Sequence, residues 1–225
     1  MNPVHKFHPE SCTVCAECVR RCPTQALSVC GETVTVDELY EKISRDKEFY
    51  VHNGGVTFSG GEPLLQADFV AECLNICKEN NIHTAIDTSG HVPFSEIEKT
   101  LPYCDLYLYD IKTINYQKHK KFTGVENKTI LSNLEELDAR GAEIWIRVPV
   151  ANGFNATKTD MEEIANFVFD LKHVTKVTLM PYHHLGSHLY TAVGFKYPIN
   201  FDAEVNEESM RGFTKVFIDR GVEIF

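Results

Sequence analysis

The 225-residue chain has no apolar run near the roughly 18–20 residues that a membrane-spanning helix requires, which excludes a helical membrane protein. Its opening residues, MNPVHKFHPESC, lack an apolar h-region, so no secretory signal is expected and the cytoplasm is the expected location. A basic run is missing too: 22 Lys and Arg stand against 32 Asp and Glu, a formal net charge of −10. Nucleic-acid binders draw much of their affinity from neutralising phosphates, so neither nucleic acid nor membrane is an expected partner. Internal repeats, low-complexity tracts and linker-like Pro/Gly/Ser stretches are likewise absent. What remains is ordinary globular composition, 43% hydrophobic and 24% charged, long enough for one large domain or two small ones.

The eight cysteines are unevenly spread. Cys12, Cys15, Cys18 and Cys22 form one tight run, whereas Cys30, Cys73, Cys77 and Cys104 are scattered. Disulfide-stapled domains are small and cysteine-dense throughout, so the run reads as a metal or iron–sulfur site in a reducing compartment. Its spacing, CxxCxxCxxxCP, is that of a bacterial ferredoxin loop, in which the fourth cysteine ligates a different cluster. Zinc is the alternative, although zinc favours two separated CxxC pairs. No second run is present, and Cys30 reads either as a substitute ligand or as an inert small residue. Cys73 and Cys77, four apart in a helical pattern, are expected to face a core.

After residue 30, strand and helix patterns alternate. Helical periods cover 35–47, 66–80, 94–100, 129–140, 157–171 and 204–219. Strand patterns cover 56–60, 82–90, 105–112, 143–150 and 176–184, with VEIF as a terminal strand. Such alternation predicts βαβ units and a parallel sheet whose chemistry gathers at the strand carboxyl ends. The polar residues fall there: Ser59-Gly60-Gly61-Glu62-Pro63, Asp87-Thr88-Ser89, Asp110 with Lys112, Arg147, and His183.

Taken singly, each is ambiguous. Gly60-Gly61-Glu62-Pro63 reads either as a plain strand–helix turn or as a close backbone approach to a ligand, with a carboxylate for an ammonium. Asp87-Thr88-Ser89-Gly90 reads first as an N-cap turn. Asp110 and Lys112 share one side of a strand, and buried charges of that kind need partners. Arg147 is similar, and Pro149 predicts the end of its strand. His183 reads equally as a structural histidine or a ligand contact. His184 and His188 suggest a metal only weakly.

Read in order, CxxCxxCxxxCPTQAL, DKEFYVHNGGVTFSGGEPLLQ, IDTSG, LYDIK, TGVENKTILSNLEEL, IRVPVANGFN and MPYHHLG span nearly the whole chain. This ordered set resembles the glycyl-radical-enzyme activating enzymes, relatives of the pyruvate formate-lyase activating enzyme in the radical SAM superfamily. The resemblance implies an α/β fold, a partial (β/α)6 TIM-like barrel over 33–225, preceded by a ferredoxin-like Cys segment over 1–32. It implies an oxidoreductase that uses a [4Fe–4S] cluster and S-adenosyl-L-methionine (SAM) to abstract hydrogen from a glycine of a partner enzyme. Implied with it are an anaerobic, oxygen-sensitive setting, a flavodoxin or ferredoxin reductant, and a monomer that docks on its partner transiently.

The implied site residues follow position by position. Gly60, Gly61, Glu62 and Pro63 would hold the methionine amino group. Asp87, Thr88 and Asp110 would line its carboxylate region. Lys112 and Arg147 would contact SAM or the partner loop, and His183 would contact SAM. Cys12, Cys15, Cys18 and Cys22 would be the metal ligands. The family's CxxxCxxC triplet, which leaves one iron open for SAM, occurs nowhere in the 225 residues. The expectation is therefore a chain that begins inside the insert, without the first barrel strand, and that is catalytically weak. The competing expectations are an iron–sulfur electron-transfer protein and an inactive SAM-binding remnant.

Overall fold

A computed structural model describes residues 7–50, 54–199 and 202–224. The described residues separate into two compact units, 36–182 with 203–225, and 1–35 with 183–202. Part of the DKEFYVHNGG stretch, positions 51–53, lies outside the described residues.

The larger unit is a five-stranded sheet in the order β1-β2-β3-β4-β5, with every neighbouring pair parallel. The strands are β1 (Gly55–Phe58), β2 (His83–Thr88), β3 (Leu106–Asp110), β4 (Ile144–Val150) and β5 (Val174–Pro181). This consecutive, all-parallel order is that of a partial TIM-like barrel. Among the described residues the expected sixth strand is a single parallel bridge, Ile224 to Val177. β4 also runs through Pro149 to Val150, where the sequence predicted a stop. The proline donates no ladder bond, but its carbonyl is taken by the Asn155 side chain at 2.8 Å.

The apolar stripes of the helices pack on one face of this sheet. Chain order in the whole structure gives α1 (Glu17–Arg20), α2 (Val36–Arg45), α3 (Ala67–Glu79), α4 (Phe94–Glu98), α5 (Tyr116–Thr123), α6 (Lys128–Ala139), α7 (Lys158–Phe169), α8 (Ser187–Ala192) and α9 (Glu207–Ile218). α3 buries Ala67, Val70, Cys73, Leu74 and Cys77, the three-and-four spacing of a single apolar stripe. α7 does the same with Met161, Ile164, Ala165 and Val168. These stripes join Ile86, Tyr107, Tyr109, Ile144, Ile146, Val148, Val150 and Val177 in one core. β4 shows the consequence most plainly. Its residues alternate strictly, with Ile144, Ile146, Val148 and Val150 buried and Trp145, Arg147 and Pro149 half-exposed.

The two faces of the sheet thus have different chemistry. The opposite face is apolar near the strand starts, where Ala85 and Leu106 are buried, and polar at the carboxyl rim. Near its floor, the Lys176 ammonium lies 4.5 Å from the centre of the Trp145 ring.

Three helices have no counterpart in the sequence pattern: the short α1 and α8, and α5 over the polar stretch YQKHKKFT. The longest of them is α5. It is capped by the Asn115 side chain, which accepts from the Lys118 N–H at 2.9 Å, and ends on Gly124 at φ +86°. Gly90 serves a different purpose. At φ +67°, a Cβ there would lie 1.7 Å from the buried Tyr109 hydroxyl. That hydroxyl donates to the Ile130 carbonyl at 2.7 Å and so ties β3 to α6. Gly124, by contrast, has nothing within 4 Å of the equivalent position. Both alanine substitutions meet backbone strain, but only Gly90→Ala adds a clash, on the order of 2 kcal/mol beyond the roughly 1 kcal/mol expected for Gly124→Ala. Urea unfolding of the two variants measures the difference.

Candidate functional site

Ser59, Asp87 and Asp110, at the carboxyl ends of β1 to β3, and Arg147, within β4, converge on the face opposite the helices. The in-register pairing of Asp110 with Arg147 sets the two side by side. Arg147 Nη1 donates to Asp87 Oδ2 at 2.5 Å, and its Nε lies 3.8 Å from Asp110 Oδ1. Ser59 donates its hydroxyl to the same Asp87 oxygen at 3.1 Å. Lys112, two residues past Asp110, reaches back to Asp110 Oδ2 at 3.3 Å. The predicted shared side of Asp110 and Lys112 is what the structure contains, whereas Asp87 does not cap a helix. The N-cap of α4 is Pro93.

Sequence reasoning missed Met180 of β5, whose thioether sulfur accepts from Arg147 Nε at 3.3 Å. It also missed Asn155, which is fully buried and fastens two strand ends. The Asn155 amide donates to the carbonyls of Lys112 at 2.6 Å and Pro149 at 2.8 Å, and its oxygen accepts from Ala151 N–H at 2.9 Å. A polar residue in a loop carries no periodic signal, so only its place in the GFN stretch marked it.

The Glu62 carboxylate accepts from Leu64 N–H at 3.3 Å, Thr88 Oγ1 at 2.7 Å, Ser89 N–H at 3.0 Å and Ser89 Oγ at 2.7 Å. Four bonds match the acceptor capacity of a carboxylate. Glu62 therefore braces β1 against β2. Thr88 is equally occupied, since its hydroxyl also accepts from Gly90 N–H at 2.9 Å. Pro63 is buried at the start of a short 3-10 turn. Gly60, at φ +133°, and Gly61 are exposed, with nothing within 4 Å of where a Cβ would stand.

Two carboxylates and two cations in alternation suit a zwitterion that carries both signs at close quarters. One atom remains unserved: Asp110 Oδ1 is buried without a hydrogen-bond partner. Burial raises the Asp110 carboxyl above its ordinary range, against the opposing pull of Lys112 and then Arg147. An orphaned carboxylate oxygen at a rim that also exposes glycine backbone fits a cationic amino-acid end such as that of SAM.

His183 groups with the other unit and is exposed. That unit also holds the Cys run. Its boundary differs from the predicted 32/33 division because residues 183–202, which include α8, group with the N-terminal segment. Cys12, Cys15 and Cys18 are exposed and Cys22 is half-buried. Among the described residues no three His, Cys, Asp or Glu side chains are arranged around a single metal ion.

Residues 10–168 match the family model of the radical SAM superfamily. The chain is 38% identical over 212 residues to a 4-hydroxyphenylacetate decarboxylase activating enzyme from Clostridioides difficile (strain CD196), covering 93% of this chain and 66% of that protein. It is 35% identical over 215 residues to an indoleacetate decarboxylase activating enzyme from Tractidigestivibacter scatoligenes, covering 95% of this chain and 68% of that one. The chain belongs to the radical SAM superfamily, in its branch of glycyl-radical-enzyme activating enzymes.

A crystal structure of a domain of a pyruvate-formate lyase-activating enzyme from Bacteroides vulgatus ATCC 8482 superposes with a TM-score of 0.66 at 28% identity. The match covers 77% of this radical SAM chain and 98% of that domain. The chain spans 62 to 68% of the length of the curated relatives compared. Enzymes of this superfamily use a [4Fe–4S] cluster and SAM, and the residues at the rim fit SAM. The 225 residues contain no CxxxCxxC triplet to fit the SAM-cleaving cluster.

A raised carboxyl pKa has a definite sign. The folded Asp110 holds its proton to higher pH than the unfolded chain does. Its stability contribution is complete below the ordinary carboxylate pKa and is lost as pH rises through the folded value. Asp110→Asn should therefore raise the thermal midpoint at pH 7 and flatten its decline between pH 4 and neutrality, read by calorimetry across that range. The same substitution should weaken SAM binding.

Proposed function

We propose that this chain serves the activation of a glycyl radical enzyme and contributes the SAM-binding strand edge of the activating enzyme. The observation that carries this reading is the Asp87–Arg147–Asp110–Lys112 array at one edge of a parallel sheet, with an unserved Asp110 oxygen within it. When bound and reduced by one electron, SAM supplies a 5′-deoxyadenosyl radical able to take hydrogen from a glycine.

The residues of this chain bind and orient. Asp87 and Asp110 offer negative charge to the ammonium and sulfonium end. Arg147 and Lys112 offer positive charge to the carboxylate. Gly60 and Gly61 leave their backbone groups open to it, and Glu62 and Thr88 hold that backbone in place. The partner is a glycyl radical enzyme, the electrons come from a flavodoxin or ferredoxin, and the setting is an anaerobic cytoplasm in which the chain acts as a monomer. Cys12, Cys15 and Cys18 carry an iron–sulfur centre.

Because the 225 residues contain no triplet of thiolates that leaves one iron open, binding and cleavage separate. Anaerobic calorimetry on the chain should register SAM uptake. The isosteric Asp87→Asn and the charge-preserving Arg147→Lys should each weaken it about tenfold, the change expected from one charge-assisted contact of roughly 1.4 kcal/mol. No heat of SAM binding to folded wild-type chain would end the proposal. After reconstitution and dithionite reduction, the same chain should release almost no 5′-deoxyadenosine. Release near the rate of a longer relative bearing CxxxCxxC would refute that part while leaving SAM binding intact.

A further inference from the structure

The segment after β3, residues 111–115, belongs to no helix or strand, yet it is fastened along its length. Ile111 N–H donates to the Arg147 carbonyl at 2.9 Å. The next three carbonyls are taken by buried asparagines. Asn155 donates to that of Lys112 at 2.6 Å, and Asn127 donates to those of Thr113 and Ile114, each at 2.8 Å. Thr113 is itself buried; its hydroxyl donates to Asp160 Oδ1 at 3.3 Å and accepts from Asn115 N–H at 3.2 Å. Loops at a sheet edge ordinarily move more than the strands they leave. Here the backbone is pinned at consecutive residues. Ile111 and Thr113 point into the protein, and between them Lys112 sends its ammonium to the rim, 3.3 Å from Asp110 Oδ2.

Asn127 is the informative member of this set. It stands at the N-cap of α6, and asparagine is among the best capping residues because its side-chain oxygen accepts from first-turn N–H groups. Asn115 caps α5 in that way and Asn206 caps α9. The Asn127 side chain makes no cap bond. It is 3% exposed, and its amide is spent on the loop that carries Lys112. Lysine loses much rotamer freedom when its ammonium is fixed on a ligand. A backbone already held in place confines that loss to the side chain and keeps the charge within reach of one point.

We infer that Asn127 is a positioning residue for SAM: by fixing the backbone of residues 112–114 it sets where the Lys112 ammonium meets the SAM carboxylate. This rests on the reading of the rim as a SAM site, and it adds a residue that stands outside the charged array.

A double-mutant cycle tests it, with SAM affinity read by anaerobic calorimetry on the whole chain and folding checked by urea unfolding. Lys112→Met should weaken SAM binding about tenfold, as expected for one charge-assisted contact. Asn127→Ala should weaken it about fivefold, as expected for one hydrogen bond. In the Lys112→Met background the same Asn127→Ala change should cost less than about twofold, because its effect passes through the missing ammonium. Asn127→Ser, which offers one donor in place of two, should fall between wild type and alanine and carries the cycle if the alanine variant is insoluble. Unchanged affinity in folded Asn127 variants, or a loss of equal size with and without Lys112, would overturn the positioning role and leave the SAM site standing. No SAM uptake by folded wild type would overturn both.

Discussion

Asp87, Asp110 and Arg147 meet because neighbouring parallel strands keep a common register and a two-residue pleat. Parallel pairing sends every strand end to the same edge, and the pleat gives one face to the helices and the other to the rim. The apolar stripes of α3, α6 and α7 need Ile86, Tyr109 and Ile146 on their side, which commits Asp87, Asp110 and Arg147 to the other. A slip of one residue in β4 would drive the guanidinium into the core and Ile146 into the open. The core and the charged rim are therefore set by the same alternation.

That alternation is also why much of the chain could be read in advance. Strands such as EIWIRVPV and helices such as QADFVAECLNICKEN carry period and length together, and their elements were legible. The clustering of Asp110, Lys112 and Arg147 was legible for the same reason, since strand ends in a parallel sheet are neighbours. The illegible parts lack period. α5 has almost no apolar stripe, and only its Asn115 cap and Gly124 stop betray it. VEIF has the composition of a strand, but among its described residues only Ile224 pairs. The role of Glu62 could not be read either, because filling its four acceptor sites requires knowing that Ser89 and Thr88 arrive opposite.

The two units rest on different sources of order. The sheet unit has a continuous core and a set of buried polar fasteners: Asn133 to Gly90 and Val92, Asn155 to Lys112 and Pro149, and Lys118 to Asp160. The Cys unit has neither.

The Asn155 amide has a consequence for anyone who would recombine this chain with its relatives. It sits in the segment after β4, yet one of its bonds holds the backbone that carries Lys112 after β3. A graft that exchanges either loop alone parts the amide from a carbonyl it serves and leaves a buried polar group unmatched, at a cost of about 1–3 kcal/mol. Chimaeras should therefore move residues 110–115 and 149–157 together, as one inheritance unit.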